Sequence, residues 1–387
     1  MVPVAHYLSK DSGNQVHYYI SRPRIVPQKD FRLQFLSQAD NVFIHDIWSI
    51  SASGYFEKVL RWLWRVIDLK KSFFRKTVPL ISSRYLRFFP WDEAIQPLLT
   101  TINPDVVCFD YTKIDRQGPP NVQGPIYGFG GIARYIKAKS IPVISLPHGL
   151  WLCTFDHIAS KRDHMNQFDR IIVDSTIGYQ EMVKSGLPEE KLFLVGASRF
   201  DPAWIKQLGQ ILPPPPPQYK TKKFIITFFA SNLFYNFDFK GLIEWLQRVA
   251  SNDNVLLVIQ PHSRGQSART FRQLSRTTNI LIDEETSSPV LIRLSNAVST
   301  IMSSVVVEGI SLGKPLLYPK FLQDRSINFE EKGVCLTVEN QESTEEIIEQ
   351  LVAGWQPDQK NVDRFLSEDV YGGGGENTIE RVAKLLS

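Results

Sequence analysis

Short runs rich in apolar and β-branched residues alternate with helix-length segments through most of this sequence. Buried strands separated by helices are typical of parallel sheets that are covered on both faces, so the alternation limits the fold more than any other feature. The predicted strands are 41–45, 105–110, 141–146, 170–174, 191–195, 223–229, 254–260, 279–282, 297–302 and 315–318. The predicted helices are 131–138, 178–185, 239–250, 268–275, 289–294 and 305–312.

Five consecutive prolines, at positions 213–217, interrupt this pattern near the middle of the chain. Such a run cannot continue a helix or a central strand, and it favours a stiff extended spacer. We therefore predict an N-terminal Rossmann-like domain at 1–210, a linker at 211–222 and a C-terminal Rossmann-like domain at 223–387. An α/β fold results, with two parallel sheets facing each other across a cleft.

Composition indicates a globular protein, with 43% hydrophobic and 22% charged residues among 387. The three cysteines show no metal-binding or redox spacing, which favours a reducing cytoplasm. The first residues do not resemble a signal peptide, and no window of 18 apolar residues is present. The sequence has no dinucleotide-binding or Walker motif and no convincing Asp-x-Asp loop, so we expect neither a cofactor nor a metal.

Positive charge is concentrated between residues 55 and 89, where nine Lys or Arg stand against two acidic residues. Eight aromatic residues lie among or just after these bases, and Leu60, Trp64 and Ile67 recur at helical spacing. A basic, aromatic amphipathic helix suits an anionic membrane surface, which predicts a peripheral position on the inner face of the cytoplasmic membrane. The alternative is a helix packed on its own domain with a solvated basic face. No nucleic-acid motif accompanies the bases, so a nucleic-acid partner is not expected.

Small polar and charged side chains follow three predicted strands of the second half, where ligands collect in open parallel sheets. Hydroxyls at the start of a helix favour an anion, because free backbone N–H groups and the helix dipole face it. The predicted donor-nucleotide site comprises Arg199, Ser231, Asn232, His262, Arg264, Ser303, Ser304 and Glu308.

Within that set, His262 and Arg264 would neutralise phosphate charge, and Glu308 would accept hydrogen bonds from a ribose. An alternative interpretation is an ordinary helix capped by serine, with His262 as a structural hydrogen-bonding residue.

In the first half, His148 and Gly149 directly follow a predicted strand. Glycine lets a backbone approach a ligand closely, and an exposed histidine has a pKa suited to a general base. His148 is therefore the leading catalytic candidate, with Asp110 and Asp156 as secondary candidates. The alternative is a loop histidine bonded to the backbone.

Four segments of the chain together resemble a group of GT-B glycosyltransferases of surface-polysaccharide synthesis, within roughly residues 100 to 335. They are 147–149, 195–201, 260–263 and 303–315. The group contains CDP-glycerol glycerophosphotransferases, capsule polymerases, polysialyltransferases and Kdo transferases. The resemblance implies that His148 acts as a base toward the acceptor hydroxyl and that Ser303 and Ser304 hold donor phosphates. The chain has Pro261-His262 where the group usually has His-Pro, which weakens the case for a cytidine nucleotide.

The resulting hypothesis is a metal-independent transferase. It would move a sugar or polyol phosphate from a nucleotide-activated donor to a glycan or lipid-linked acceptor, in capsule or lipopolysaccharide synthesis. A non-hydrolysing UDP-N-acetylglucosamine 2-epimerase, which shares the architecture, is the alternative enzyme. A non-catalytic scaffold for envelope assembly is the alternative outside enzymes.

Overall fold

A computed structural model describes most of the chain, including its three sheets. The described residues are 1–20, 25–46, 50, 58–59, 62–63, 81, 91–110, 129–147, 149–152, 165–231, 237–262, 268–325, 327–375 and 377–386.

The first half contains a four-stranded parallel sheet in the order β3-β4-β5-β6, beside a two-stranded parallel sheet of β1 and β2. The strands are β1 Val16–Ile20, β2 Val42–Asp46, β3 Val107–Asp110, β4 Val143–Leu146, β5 Arg170–Val173 and β6 Leu192–Leu194. The helices are α1 Val2–Leu8, α2 Phe31–Leu36, α3 Trp91–Ile102, α4 Phe129–Lys139, α5 Thr176–Lys184 and α6 Pro202–Ile211.

The second half contains a six-stranded parallel sheet in the order β12-β11-β10-β7-β8-β9. Its strands are β7 Phe224–Phe229, β8 Val255–Gln260, β9 Ile280–Ile282, β10 Ala297–Ser299, β11 Leu316–Pro319 and β12 Cys335–Val338. Its helices are α7 Phe239–Ala250, α8 Ser288–Leu294, α9 Val306–Ser311, α10 Asn328–Glu331, α11 Thr344–Val352 and α12 Gln359–Phe365, and α13 Thr378–Lys384 ends the chain. The α/β fold with two parallel sheets is thus confirmed.

Every predicted strand is present, and β1 and β12 are additional. The segment predicted as a helix at 268–275 is a 3₁₀ helix, Ala268–Leu274, with Phe271 outside helical geometry. The helix after the two serines is shorter than predicted and spans only Val306–Ser311. Most of the basic segment 55–89 lies outside the described residues, so its contact with a membrane stays a prediction. In the part of the chain that the structure describes, no helix has both the length and the apolar character needed to cross a bilayer.

The proline run leads from α6 to β7 as an extended and mostly exposed segment. Tyr219 follows it and is buried, with its hydroxyl donating to Asp283 at the end of β9. Asp283 also accepts from the amides of Glu285 and Thr286, at 2.6 and 2.8 Å. The C-terminal end of the spacer is therefore held to the second sheet through Tyr219 and Asp283.

The two halves are joined where two segments of backbone cross in direct contact. Gly196 has a φ of +98°, and a Cβ there would lie 2.7 Å from the backbone of Tyr371. Gly372, at φ +60°, would place a Cβ 2.8 Å from the Gly196 nitrogen. The Ala197 amide donates to the Val370 carbonyl at 2.8 Å in the same crossing. Only glycine fits this contact, both for its positive φ and for the missing side chain.

Past the crossing, the chain returns to the first half, and α13 packs there rather than on the second sheet. Its Val382 lies in one core cluster with Val4, Ile144 and Ile172. The domain boundaries that we predicted place this helix with the second half, and those boundaries stay a prediction.

Asp201 holds the start of α13 to the start of α6, and its replacement tests the contribution of this contact to stability. Its carboxylate is buried, caps α6 through the Ala203 amide at 3.0 Å, and accepts from Thr378 and Ile379 at 3.0 and 3.1 Å. Because Asp201→Ala would leave buried donors unpaired, we expect it to lower the free energy of unfolding by about 3 kcal/mol in urea denaturation. The exposed cap Asp358→Ala is the control and should cost about 1 kcal/mol. Equal losses in both variants would contradict this contribution.

Candidate functional site

A cavity of about 1110 Å³ is bordered by residues of both halves. Gly149, Ser198 and Arg199 border it from the first half, and Pro289 and Glu308 from the second. The first half also contributes residues of β1 and α2, including His17 and Arg32. The volume slightly exceeds the usual range for one small ligand, so there is room for a ligand and part of a second one.

Buried hydroxyl groups hold the loop that carries Ser303 and Ser304 in place. Thr300 donates to the Phe229 carbonyl at 2.8 Å, at the end of the neighbouring strand β7. The Ser231 hydroxyl, 1% exposed, accepts from the Met302 amide at 2.7 Å. Ser231 was predicted to bind nucleotide, and in the structure its hydroxyl supports this loop.

Ser303 and Ser304 are half-buried, and their hydroxyls have no hydrogen-bond partner among the described residues. Their carbonyls accept from Val306 and Val307 as α9 begins. Since α9 has only six residues, its dipole adds little, and the hydroxyls and free N–H groups of the turn are the groups available to an anion.

Gly149 brings the first half directly against this loop. A Cβ at Gly149 would lie 3.3 Å from the Ser304 hydroxyl oxygen. The loop of Gly149 follows β4, and Asp110 is the register partner of Leu146 at the end of that strand. Position 110 therefore lies at the same end of the sheet as the loop of Gly149, which approaches Ser304.

Glu308 lies in the first turn of α9 and is 5% exposed. Its Oε1 accepts from Arg293 at 2.5 Å, whereas its Oε2 has no partner among the residues described. Burial raises the pKa of Glu308, and the guanidiniums of Arg293, Arg199 and Arg32 oppose that rise. Arg199 is thus close enough to act on the carboxylate, as a shared site requires.

The wall formed by α2 and β1 was not predicted from the sequence. Both carboxylate oxygens of Asp30 accept hydrogen bonds from Arg32, at 3.0 Å from Nε and 2.6 Å from Nη2. The His17 ring stacks on Phe43 and on His45, with ring centroids 4.8 and 5.3 Å apart. Nδ1 of His17 lies 3.0 Å from Nε2 of His45. Burial lowers the pKa of both imidazoles, so the pair is neutral at neutral pH.

Asp174 lies at the carboxyl end of β5, fully enclosed beneath the loop that follows Gly149. It accepts from the Trp151 amide in that loop, and its Oδ2 has no hydrogen-bond partner. Burial raises the pKa of Asp174 to about 8, since no charged side chain among the described residues adjoins it. From the sequence, Asp174 is an aspartate at the end of a predicted strand, and its burial could not be predicted.

His262 lies two residues after β8 and is half-buried. The strand end beneath it is held by Gln260, which donates to the Thr286 carbonyl at 2.7 Å and accepts from Ser288 at 2.6 Å. Four predicted site residues lie outside the described part of the chain: His148, Asp156, Asn232 and Arg264. Among the described residues, no group of three His, Cys, Asp or Glu is arranged to hold a metal ion.

No protein-family model and no curated protein matches the sequence. Solved structures do match the fold. A UDP-GlcNAc 2-epimerase from Methanocaldococcus jannaschii, in complex with UDP-GlcNAc and UDP, has a TM-score of 0.60 at 14% identity, covering 100% of this chain and 95% of its own. The Neisseria meningitidis UDP-GlcNAc 2-epimerase, bound to UDP-GlcNAc, has a TM-score of 0.56 at 14% identity, with coverages of 100% and 95%.

A glycosyltransferase from Rickettsia africae also matches, with a TM-score of 0.53 at 13% identity, covering 100% of this chain and 92% of its own. At such identities the likeness concerns the fold alone. The chain has a GT-B-like fold, which epimerases and glycosyltransferases share.

The raised pKa of Asp174 predicts how the stability of the protein depends on pH. Folding favours the protonated acid, so this contribution is complete below the unfolded pKa of about 3.9 and is lost as pH rises toward about 8. Asp174→Asn imitates the protonated form and removes the dependence. We expect the variant to gain on wild type by up to about 1.4 kcal/mol for each pH unit in this window, in urea unfolding at pH 5, 6 and 7. Parallel curves for the two proteins would contradict a buried neutral acid.

Proposed function

We propose that the protein is a GT-B glycosyltransferase or a related polyol-phosphate transferase. It takes its donor group from a nucleotide and transfers it to a glycan or lipid-linked acceptor. The donor lies on the second half, at the loop of Ser303 and Ser304, and the acceptor lies on the first half.

The observation that carries this proposal is the close approach of Gly149 to the Ser304 hydroxyl across the cleft. A phosphate held by the two unpaired hydroxyls brings the group attached to it against the loop of residues 147–149. Donor phosphate and acceptor-side loop are then adjacent, which the in-line displacement of a phosphate leaving group requires.

The donor is recognised by three kinds of group. Ser303 and Ser304 donate to the phosphates, while His262 and Arg264 counter their charge. Glu308 accepts from the ribose hydroxyls through Oε2, and Arg199 lies near enough to share in the same site. Ser231 acts by supporting the serine loop, and Asn232 follows it in the chain.

The reaction is a direct displacement. His148 takes the proton of the acceptor hydroxyl while the acceptor oxygen bonds to the reacting carbon or phosphorus of the donor. The bond from that atom to the nucleotide phosphate breaks, and the nucleotide leaves with the electron pair. Ser303, Ser304 and the N–H groups of their turn stabilise the charge that develops on the leaving phosphate. Asp110 and Asp156 are secondary candidates for holding the acceptor or the base.

The finer assignment is to surface-polysaccharide synthesis, in the group of CDP-glycerol, polysialic acid and Kdo transferases. It rests on the motif resemblance and on the order of its segments. The basic and aromatic segment 55–89 would bring the acceptor half to the inner face of the cytoplasmic membrane. A lipid-linked acceptor would be extended there.

A second candidate is a UDP-GlcNAc 2-epimerase, favoured by the epimerases among the structural neighbours, of which two are described above. Epimerisation needs several free acid or base groups around one sugar ring. Among the described residues bordering the cavity, Asp30 and Glu308 are held by arginines, His17 and His45 are paired with each other, and Asp105 is a further acid, whereas transfer needs one base. Incubation with UDP-GlcNAc alone decides the question by NMR. Conversion at C2 without an acceptor supports the epimerase, and its absence supports transfer.

The serine loop provides the first test of the proposed donor site. Ser303→Ala with Ser304→Ala removes two hydroxyl contacts to charged phosphate, so we expect nucleoside diphosphate affinity to fall about a hundredfold. A calorimetric titration with UDP, CDP and GDP measures it. The control is Ser251→Ala with Ser275→Ala, which removes two exposed hydroxyls that bond only to their own helix carbonyls. Unchanged nucleotide affinity in the 303/304 variant would refute the donor site.

The role of His148 is tested by separating turnover from donor binding. His148→Ala should lower kcat by about 10²–10⁴-fold, the usual contribution of a positioned base, with donor affinity nearly unchanged. His262→Ala is the matched variant and should weaken donor binding instead. A collapse of donor affinity in His148→Ala would place that histidine in the nucleotide site.

A further inference from the structure

The Arg293 side chain contacts both Glu308 and the first half. Its Nη1 donates to Glu308 Oε1 at 2.5 Å, and its Nη2 donates to the Ile205 carbonyl of α6 at 2.8 Å. A weaker bond from Nη1 to the Pro289 carbonyl, at 3.3 Å, holds the guanidinium to its own helix. The side chain is therefore fixed at three points.

The pair is shielded from solvent. The side chain of Glu308 is 7% exposed and that of Arg293 is 23% exposed. A buried carboxylate needs such a partner, because isolated burial of its charge is costly. Removal of Arg293 would leave Glu308 either protonated or turned toward water, and its orientation in the cavity would be lost.

Only one oxygen of Glu308 is occupied by this contact. Oε1 is bonded to Arg293, while Oε2 has no partner among the described residues, and Glu308 borders the large cavity. A carboxylate fixed at one oxygen presents the other in a defined direction. That arrangement suits a vicinal pair of hydroxyls, which can both donate to a carboxylate.

We propose that Arg293 is a positioning residue that orients Glu308 toward the ribose hydroxyls of the nucleotide and ties ribose recognition to α6 of the first half through the Ile205 carbonyl. The inference rests on the proposed function, since it takes the cleft to hold a nucleotide. It assigns the ligand class more narrowly: a ribonucleotide with free 2′ and 3′ hydroxyls.

A geometric feature of α6 fits this role. A Cβ at Gly209, one turn after Ile205, would lie 3.4 Å from Nε and Nη2 of Arg293. The guanidinium thus lies along α6 with little room to move. Lysine cannot replace it, because a single ammonium on a flexible stem cannot hold Glu308 and the Ile205 carbonyl in one planar arrangement.

The experiment compares ribonucleotides with their 2′,3′-dideoxy forms by calorimetric titration. UDP, CDP and GDP and the three dideoxy analogues are titrated into wild type, Arg293→Met, Arg293→Lys and the control Arg248→Met, an exposed arginine of α7. In wild type and in the control, we expect the ribonucleotide to bind at least tenfold more tightly than its analogue. In Arg293→Met the ratio should fall to about two or less, mainly through weaker ribonucleotide binding. Arg293→Lys should give an intermediate ratio and keeps the test open if the Met variant does not fold.

Three results would overturn the inference, and only the last of them is a failure of the donor site. Unchanged ribonucleotide preference in both Arg293 variants refutes the positioning role. Equal binding of both nucleotide forms by wild type refutes ribose recognition while the phosphate site stands. No binding of any ribonucleotide by wild type refutes the proposed function, and this inference with it.

Discussion

The backbone crossing at Gly196 and Gly372 determines how the two sheets face each other. The segment that ends the first half and the segment that returns from the second are in contact there without side chains between them. Any larger residue at either position would force the two segments apart. Gly149 lies on one side of the resulting cleft and Ser304 on the other, and Leu150 and Leu152 beside Gly149 pack in the core of the second half. The candidate site is therefore a property of the whole chain rather than of either half.

Within that frame, the second half supplies a rigid support for the serine loop. Hydroxyls of Thr300 and Ser231 bind it to β7 from beneath, and both are almost wholly buried. Rigid placement matters because electrostatic stabilisation of a leaving phosphate works only when the donors need not reorganise during the reaction. In the first half, the loop that follows Gly149 is held by Asp174, a buried acid that accepts a hydrogen bond from the Trp151 amide. Both sides of the cleft are thus held by buried polar groups close to the proposed reaction centre.

The fold was predictable because buried parallel strands read as short continuous apolar runs, which sequence shows directly. Two strands were not predicted. β1, Val16–Ile20, mixes histidine and tyrosine with apolar residues, which hides the pattern, whereas β12, Cys335–Val338, is an apolar run like the predicted ones. The serines and Glu308 could be found because they follow a strand within one local motif. Arg293 could not, since its bond to the Ile205 carbonyl joins residues far apart in the chain, and Arg32 could not, because its place beside the cavity follows from the packing of the first half. Nor could the return of α13 to the first half, because an amphipathic helix does not indicate the sheet on which it packs.

A crystal structure of the protein with UDP at saturating concentration would show directly where the nucleotide phosphates and ribose bind. The proposed donor site predicts the phosphates beside the serine loop and next to the loop of Gly149, with oxygens about 2.7–3.0 Å from the hydroxyls of Ser303 and Ser304. It also predicts the ribose hydroxyls at the free oxygen of Glu308. A nucleotide bound elsewhere on the molecule, or bound in the cleft with its phosphates away from both serines, would contradict it.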